Sequence, residues 1–255
     1  MRYHLDTIPV WDAMKLDGEC LFCALERHTE LGEADRCLGA SVMEPDTRVQ
    51  VNEKGFCTKH HAMLFSMSNR LGHALMLESH TAETVRRLGK PTDELQKAAR
   101  VLESTLSPGK TKAARDAVTA AAQKIASMEG SCIMCDSIRE NMDRYMHTFF
   151  HLYKSDTEFR NRFSACKGVC LNHLARLLSA AEKELNNKEL AQFLQTVTSL
   201  EQTNLDRIRT DISWFIKKFD YRYENESWKD SKDAVERTVN KLRSWCVGKE
   251  PYPEE

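Results

Sequence analysis

The chain has 255 residues, with 37 Lys and Arg against 38 Asp and Glu, so its balanced charge gives no electrostatic support for a nucleic-acid or membrane partner. Ten glycines and six prolines are too few for the many tight turns of an all-β fold. The composition therefore predicts an all-α protein of one or two domains.

The N-terminal region contains no apolar run of signal-peptide length, and no later stretch reaches the roughly 20 apolar residues needed to cross a bilayer. We therefore expect a cytoplasmic protein without a membrane partner. In a reducing compartment, nine cysteines that include two CxxC pairs indicate metal or redox chemistry. A disulfide framework stays a second interpretation.

The first half of the chain predicts two helices separated by an irregular segment. Residues 20–37 are rich in Leu, Ala, Glu and Arg and predict a helix that begins at its CxxC. Residues 39–55 contain several Gly, Pro and Asn and an alternating valine pair, which predict an extended loop or a brief strand. Residues 57–88 place apolar side chains at helical spacing and predict one long helix, bent at Gly72.

The central and C-terminal segments also predict helices. Two polar, alanine-rich segments are joined by Ser-Pro-Gly-Lys, which is typical of an antiparallel helical hairpin. We expect Ser155 or Asp156 to cap one later helix and Asp230 or Ser231 to cap the last. The segments expected to be helical are 92–106, 110–128, 132–154, 155–168, 170–185, 188–219 and 231–245.

Two similar segments are present, GFCTKHHAMLFS in residues 55–66 and GVCLNHLARLLS in residues 168–179. Each lies downstream of a CxxC motif. The two CxxC motifs are 132 − 20 = 112 residues apart, and the two CxxH motifs are 170 − 57 = 113 residues apart. Because the cysteines and histidines keep their register, the sequence predicts an internal duplication. The corresponding segments are a first repeat (1–90), a hairpin connector (91–129), a second repeat (130–187) and C-terminal helices (188–255).

The duplicated cysteines and histidines have the spacing of zinc ligands, since two residues between donors let both side chains reach one tetrahedral ion. We predict two zinc ions, each held within one copy, by Cys20, Cys23, Cys57 and His60 and by Cys132, Cys135, Cys170 and His173. Each half-site opens a helix, where free amides and the positive end of the dipole stabilise thiolates. A site closed by four protein ligands supports folding and leaves no position for catalysis.

Other interpretations of these motifs stay open. An iron–sulfur centre, a thiol–disulfide redox role and ordinary buried cysteines are the alternatives to zinc. His61 and Cys166 are rival ligands, but the other copy has Leu174 and Glu53 at the equivalent positions. Their counterparts therefore favour His60 and Cys170 as the ligands.

The remaining cysteines and two histidines are expected to pack in the protein interior. The cysteines are Cys37, Cys166 and Cys246. His147 and His151 lie one helical turn apart among aromatic residues, so we expect them to pack rather than to bind a further metal.

Five phrases of the chain resemble a family of uncharacterised proteins from clostridia and related Firmicutes. They are YHLDTIPVWDA, VMEPDTRVQVNEKGFC, NRLGHALML, KFDYRY and SKDAVER, and the resemblance covers nearly the whole chain. Members are described as a domain of unknown function, sometimes as substrate-binding proteins of transporters, which fits poorly with the missing export signal. The resemblance implies one soluble protein and carries no established activity.

Polar and aromatic residues outside the metal motifs suggest a ligand pocket. They are Asp46, Arg48, Arg70, His73, Tyr221, Arg222 and Trp228. Arginines and aromatic rings clamp or stack on anionic or planar ligands. In the alternative interpretation the acids cap helices, the arginines pair with acids and the aromatic rings bury the last helix.

These observations predict a binding or adaptor module for a protein or a small ligand. One alternative is an enzyme with a deep pocket around Asp46, Arg48, Arg70 and Tyr221, in which zinc is only a scaffold. A second alternative is a nucleic-acid-binding regulator, which would need a basic face that no stretch of the sequence concentrates.

Overall fold

The computed structural model describes residues 3–104 and 107–252, apart from the side chains of residues 3–5 and 129. These residues form eleven α-helices and two short 3-10 helices, with no strand among them, which confirms the all-α prediction. The α-helices are α1 (Tyr3–Lys15), α2 (Leu21–Leu38), α3 (Pro45–Lys54), α4 (Thr58–Ser66), α5 (Arg70–Ser104), α6 (Pro108–Glu129), α7 (Ile133–Ser155), α8 (Thr157–Ala165), α9 (Leu171–Glu184), α10 (Asn187–Lys217) and α11 (Ala234–Arg243). The 3-10 helices are Ala40–Met43 and Tyr221–Tyr223. Across the described ranges, none of the helices combines the length and the apolar character that a bilayer span requires.

The chain divides into two compact units. Unit 1 comprises Met1–Thr29 with Glu140–Glu255, and unit 2 comprises Glu30–Arg139. The divisions fall inside α2 and α7, so each of these helices contributes residues to both units. The four-segment division expected from the sequence stays a prediction.

In unit 2, α5 and α6 pack side by side as the predicted helical hairpin. Pro91 and Ala98 of α5 and Ala114 and Ala121 of α6 are the buried residues along this pair. Small side chains at these positions let two helices lie close together. The last two residues of the first predicted arm, 105 and 106, lie outside the described residues.

The prediction of an extended loop or strand over residues 39–55 is wrong. The segment forms a 3-10 turn and then α3, which begins at Pro45 and ends at Lys54, with Gly55 as its C-cap. Proline is well suited to a first helical turn because its missing N–H has no partner there anyway. Thr47 and Val51, four residues apart, form the buried side of α3, so the alternating valines belong to a helix face and not to a pleat.

The single helix predicted over residues 57–88 is two helices, and the break is not at Gly72. α4 ends at Ser66, and α5 begins at Arg70. Asn69 precedes α5, and its Oδ1 accepts a hydrogen bond from the Gly72 amide at 2.8 Å, as a helix N-cap does. α5 then continues through Pro91 as one helix, although a separate helix was expected from residue 92.

Unit 1 is built around a group of buried aromatic rings. Phe149 lies at its centre, with ring centroids of Phe22, Phe159 and Phe163 at 5.5, 5.4 and 4.9 Å. All four rings are fully buried. Phe159 and Phe163 meet Phe149 edge to face and Phe22 meets it at a tilt, so these contacts pack α2, α7 and α8 together within this unit.

The caps of the later helices are partly as expected. Asp156 caps α8 by accepting hydrogen bonds from the amides of Glu158 and Phe159, which confirms one of the two predicted caps. The last helix begins at Ala234, and neither Asp230 nor Ser231 caps it. Ser231 is instead used in a turn, where its hydroxyl donates to the Trp228 carbonyl oxygen.

Candidate metal centres

The two CxxC and two CxxH motifs all lie at the starts of helices, as the sequence predicts. Cys20, Cys57, Cys132 and Cys170 immediately precede α2, α4, α7 and α9. The carbonyl oxygen of each accepts a hydrogen bond from the amide four residues later, at 2.8–3.4 Å. The second donor of each motif therefore lies in the first helical turn and points back toward the N-terminal end of its helix.

The helix starts meet in two clusters of potential metal ligands. Cluster 1, in unit 1, contains Cys20, Cys23, Cys170 and His173, and cluster 2, in unit 2, contains Cys57, His60, Cys132 and Cys135. In each cluster one donor atom from every residue lies within 4.8 Å of all the others. All eight residues proposed from the sequence are therefore present in these clusters.

The predicted partnership between the motifs is wrong. Each CxxC was expected to join the CxxH of its own copy, but the CxxC of the first copy joins the CxxH of the second in cluster 1, and the reverse holds in cluster 2. The two CxxC motifs have equivalent donors, and so do the two CxxH motifs. The sequence spacing alone could not distinguish the two pairings.

Cluster 1 brings three sulfurs around one ring nitrogen. His173 Nδ1 lies 3.5 Å from Cys20 Sγ, 3.5 Å from Cys23 Sγ and 3.1 Å from Cys170 Sγ. The sulfurs of Cys23 and Cys170 are 3.7 Å apart. All four residues are buried.

Cluster 2 repeats this arrangement with the same atom types. His60 Nδ1 lies 3.3 Å from Cys57 Sγ, 3.2 Å from Cys132 Sγ and 3.4 Å from Cys135 Sγ. The sulfurs of Cys57 and Cys135 are 3.7 Å apart.

These distances can be compared with those around a tetrahedral zinc ion. Bonds of about 2.3 Å to sulfur and about 2.05 Å to nitrogen separate two sulfur ligands by about 3.8 Å and a sulfur from a nitrogen by about 3.6 Å. The sulfur pairs at 3.7 Å match the first value, and the sulfur–nitrogen distances of 3.1–3.5 Å are slightly shorter than the second. A disulfide would need about 2.05 Å between sulfurs. The residues present therefore fit one tetrahedral ion in each cluster.

The second ring nitrogen of each histidine faces a glutamate of α2. His60 Nε2 lies 3.2 Å from Glu30 Oε1, and Lys59 Nζ contacts the same oxygen at 2.5 Å. In the other cluster, His173 Nε2 lies 3.4 Å from Glu26 Oε2. A carboxylate at this position holds the proton on Nε2 and leaves the Nδ1 lone pair free to bind a metal, as in many zinc sites.

Sequence reasoning missed both glutamates. They lie four residues apart, within an ordinary mixture of charged residues on α2. No pattern in that segment distinguishes a carboxylate that orients a histidine from one that is only solvated. The contacts of these glutamates with His60 and His173 depend on the tertiary structure.

In cluster 1, the pKa values of three of the four residues are shifted from their usual values. Burial opposes protonation of His173, but the Cys170 thiolate and neighbouring groups outweigh burial and raise the pKa of His173 to about 11. Hydrogen bonds from Cys20 and Cys23, together with His173, hold the pKa of Cys170 far below its usual value. Burial and the neighbouring sulfurs raise the pKa of Cys20 well above normal. Cys170 is thus favoured as a thiolate beside a positively charged His173, whereas Cys20 favours its protonated form.

Cluster 2 behaves in the same way. Burial opposes protonation of His60, but Cys132 and Glu30 outweigh it and raise the pKa of His60 to about 9. Burial also opposes ionisation of Cys132, yet His60 and the amides of Cys135 and Cys57 lower the pKa of Cys132 to about 6. Burial and the Cys132 charge raise the pKa of Cys135 to about 12.

A glycine with positive φ precedes each CxxH. Gly55 has φ 64° and Gly168 has φ 77°. A Cβ at Gly55 would lie 2.6 Å from His80 Nε2, and a Cβ at Gly168 would lie 2.3 Å from Glu201 Oε1. Both the backbone conformation and the close approach therefore require glycine, as expected from the repeated GFC and GVC phrases.

In unit 1, a buried ion pair supports the turn that leads into Cys170. Glu201 Oε2 lies 2.9 Å from Lys241 Nζ, and both side chains are almost completely buried. Glu201 Oε1 accepts a hydrogen bond from the Val169 amide at 2.6 Å, while Lys241 donates to the Lys167 carbonyl oxygen at 2.8 Å. The pair therefore fixes the backbone on both sides of Gly168.

In unit 2, hydrogen bonds join the two half-sites of cluster 2 directly. The Gly55 carbonyl oxygen accepts from the Ile133 amide at 3.1 Å, and the Lys54 carbonyl oxygen accepts from Ser131 Oγ at 2.8 Å. Lys54 also pairs with Asp136 at 2.6 Å. The turn before Cys57 is thus held against the start of α7.

The two rival ligands, His61 and Cys166, lie outside the clusters. His61 is outside cluster 2, with its Nδ1 at 3.2 Å from His73 Nε2, and Cys166 Sγ accepts from the Gly168 amide instead of joining cluster 1. Cys37 is fully buried, which confirms its packing role. Cys246 is exposed, so the packing prediction is wrong for it.

The packing prediction is also wrong for His147 and His151. Both are exposed on α7, whose buried side is occupied by aromatic residues such as Phe149 and Phe150. His147 Nδ1 lies 2.6 Å from Glu184 Oε1. Within the described residues, the potential metal-ligand groups are the two clusters alone.

Four of the predicted ligand-binding residues lie in unit 2. Arg48 donates to the Val42 carbonyl oxygen at 3.3 Å and to Ser79 Oγ at 2.8 Å. The guanidinium carbon of Arg70 lies 3.6 Å from the ring centroid of Phe65. His73 is buried beside His61, and Asp46 is exposed.

The other three lie in unit 1. Tyr221 is 84% exposed, and Arg222 pairs with Asp220 at 2.6 Å. Trp228 packs on Phe215, with ring centroids 5.9 Å apart. The ligand-binding role of these seven residues stays a prediction.

Comparison with known proteins places the chain in a family. Residues 1–249 match the family of unknown function DUF6062. The chain belongs to this family. The match extends over both units and includes all eight cluster residues. Neither a curated protein nor a solved structure matched the chain.

Proposed function

We propose that this DUF6062 protein binds two structural zinc ions, one in each cluster. The supporting observation is that three sulfurs and one Nδ1 nitrogen surround a common centre twice, at separations close to those of zinc ligands. Zinc would link the starts of α2 and α9 in unit 1 and the starts of α4 and α7 in unit 2. Four protein ligands fill a tetrahedron, so the ions would support folding and not catalysis.

Zinc is preferred over an iron–sulfur centre on geometric grounds. Cysteines that bind different irons are separated by bridging sulfides, whereas all four donors of each cluster lie within 4.8 Å of one another. Three thiolates with one imidazole form a common structural zinc set. Thiolate ligands also need a reducing compartment, which supports the expected cytoplasmic location.

Metal analysis of the protein purified without added metal tests this proposal. We expect two zinc ions per chain, and replacement by Co²⁺ should give the strong visible absorption of a tetrahedral thiolate site. Removal of zinc should lower helicity, and its return should restore it. Iron in place of zinc, or fewer than two tightly bound metal ions, would contradict the proposal.

We further propose that the protein is a binding module whose partner is another protein. Support comes from an exposed apolar surface at and just after the end of α10 in unit 1, where Ile216, Phe219 and Tyr221 are 65%, 75% and 84% exposed. Phe219 packs edge to face on Phe215 and Trp228, which hold its ring in a fixed position. Rigid exposed aromatic rings are typical anchors of protein interfaces.

A photo-crosslinking residue at position 219, expressed in the native host, tests this role. We expect a discrete crosslinked product from position 219. It should be absent when the same residue replaces exposed Lys217, the last residue of α10, and it should be lost on Tyr221→Ser. Equal crosslinking from both positions would contradict a specific interface.

The alternative function is an enzyme with a pocket around Asp46, Arg48, Arg70 and Tyr221. If the protein has a catalytic activity that Arg48→Ala abolishes while the zinc content is unchanged, that result would favour the enzyme.

A further inference from the structure

The two clusters differ in access to solvent, although their donors are the same. All four residues of cluster 1 are buried. Two of its three sulfurs also contact the segment after α11, since the Trp245 amide donates to Cys23 Sγ at 3.3 Å and Ser244 Oγ lies 3.2 Å from Cys170 Sγ. Hydrogen bonds to a thiolate lower its reactivity by withdrawing charge from the sulfur.

In cluster 2, two cysteines are partly exposed and adjacent. Cys57 and Cys135 are partly exposed, whereas His60 and Cys132 are buried. The sulfurs of the two partly exposed cysteines come from different helix starts and lie 3.7 Å apart. They need only approach to about 2.05 Å to form a disulfide.

We propose that Cys57 and Cys135 are a modification site for hydroperoxides, at which oxidation forms a disulfide and releases the ion of cluster 2. This inference rests on the proposed zinc binding. The ion of cluster 1 is retained, because no sulfur of that cluster is exposed to the oxidant.

The reaction needs one hydroperoxide molecule and no other oxidant. One thiolate attacks a peroxide oxygen, and the O–O bond breaks to give a sulfenic acid and a hydroxide. The second thiolate then attacks the sulfenic sulfur, which forms the S–S bond and expels the other oxygen as hydroxide. With hydrogen peroxide, two thiolates and two protons therefore yield one disulfide and two water molecules.

Loss of these two ligands leaves the ion with His60 and Cys132 only. Two protein donors do not hold zinc tightly, so the ion dissociates. Within unit 2, the new disulfide replaces the metal as the link between the starts of α4 and α7. A thiol reductant and zinc together would restore the original site.

The experiment uses the full chain with zinc bound and Cys246→Ser, which removes the exposed cysteine that belongs to neither cluster. Hydrogen peroxide is added in steps, released zinc is followed with a chromogenic chelator, and disulfides are mapped by peptide mass spectrometry. We expect one equivalent of zinc to be released together with a Cys57–Cys135 disulfide. The second equivalent should stay bound.

A matched control removes the partly exposed cysteine that lies outside both clusters, by Cys166→Ser in the same background, and it should release zinc like its parent. Release of both ions together, first release from cluster 1, or a disulfide between other cysteines would overturn the inference. These results leave the proposed zinc binding intact if two ions are present at the start. A chain that carries no zinc before oxidation would instead overturn the proposed function.

Discussion

His60 Nε2 and Glu30 Oε1 lie 3.2 Å apart in unit 2, and both side chains are buried. The contact orients the imidazole so that Nδ1 faces the three sulfurs of cluster 2. It also favours the proton on Nε2, which is the tautomer that a metal-binding Nδ1 requires. Glu30 is therefore expected to act on the metal through the histidine.

Glu30→Ala should weaken zinc binding at cluster 2 by about 10–100-fold, because the histidine loses the group that orients it. Competition with a chromogenic chelator measures the affinity, and cluster 1 in the same chain gives an internal reference. Lys59→Met is the control, since it removes the ion pair of Lys59 with Glu30 and keeps the contact of Glu30 with His60. An affinity unchanged by Glu30→Ala, or an equal loss at cluster 1, would show that Glu30 does not position this ligand.

Lys241→Met should destabilise unit 1 by about 3–5 kcal/mol, because it leaves Glu201 buried without its partner. Urea unfolding followed by circular dichroism measures the free energy of unfolding. The double change Lys241→Met with Glu201→Gln should cost less than the sum of the two single changes, because the uncompensated charge is gone. Lys232→Met, at an exposed position of the same unit, should have little effect.

The turns before the CxxH motifs and the membership of the eight cluster residues were largely predictable from the sequence. The glycines before the CxxH motifs, the helix starts at all four motifs and the choice of His60 and Cys170 follow from local spacing and chemistry, which sequence records directly. Helix caps such as Asp156 are equally local. Several features decided within a few residues were therefore predictable, although the expected cap of the last helix at Asp230 or Ser231 was wrong.

Long-range relationships were not predictable in the same way. The pairing of Cys20 with Cys170 connects residues far apart in the chain. Cys57, which has the same donor and the same motif, is much closer to Cys20 in sequence. The buried pair of Lys241 with Glu201 likewise depends on tertiary packing. The helix of residues 45–54 was missed for a different reason, because an alternating valine pair outweighed the proline that begins a helix.

Gly168→Ala should destabilise unit 1 by about 1–3 kcal/mol through backbone strain alone, since a residue with a side chain disfavours φ 77°. The added Cβ would also lie 2.3 Å from Glu201 Oε1, which Lys241 holds in place. Thermal unfolding and zinc affinity at cluster 1 should both decrease. Gly89→Ala is the control: no atom lies within 4 Å of its new Cβ, and alanine in a helix interior should stabilise by about 0.5–1 kcal/mol. Equal effects of the two substitutions would contradict the requirement for glycine at position 168.

In each cluster, a CxxC motif lies with the CxxH motif that is more distant in sequence or precedes it. This pairing predicts which double substitutions leave one zinc ion bound. Cys20→Ser with Cys170→Ser removes two ligands from cluster 1 and should leave one tightly bound zinc, in cluster 2. Cys20→Ser with Cys57→Ser removes one ligand from each cluster and should leave no ion at full affinity. Both variants carry two Cys→Ser changes, so they are matched in chemistry, and zinc content after dialysis against a chelator distinguishes them.

The mirror pair extends the test to the other ligands. Cys57→Ser with Cys132→Ser should keep the ion of cluster 1, whereas Cys132→Ser with Cys170→Ser should weaken both sites. Circular dichroism of each variant separates loss of zinc from loss of fold. If each copy bound its own ion instead, the Cys20 and Cys57 variant would retain one zinc and the Cys20 and Cys170 variant would retain none, because each cluster would then draw both of its half-sites from a single repeat.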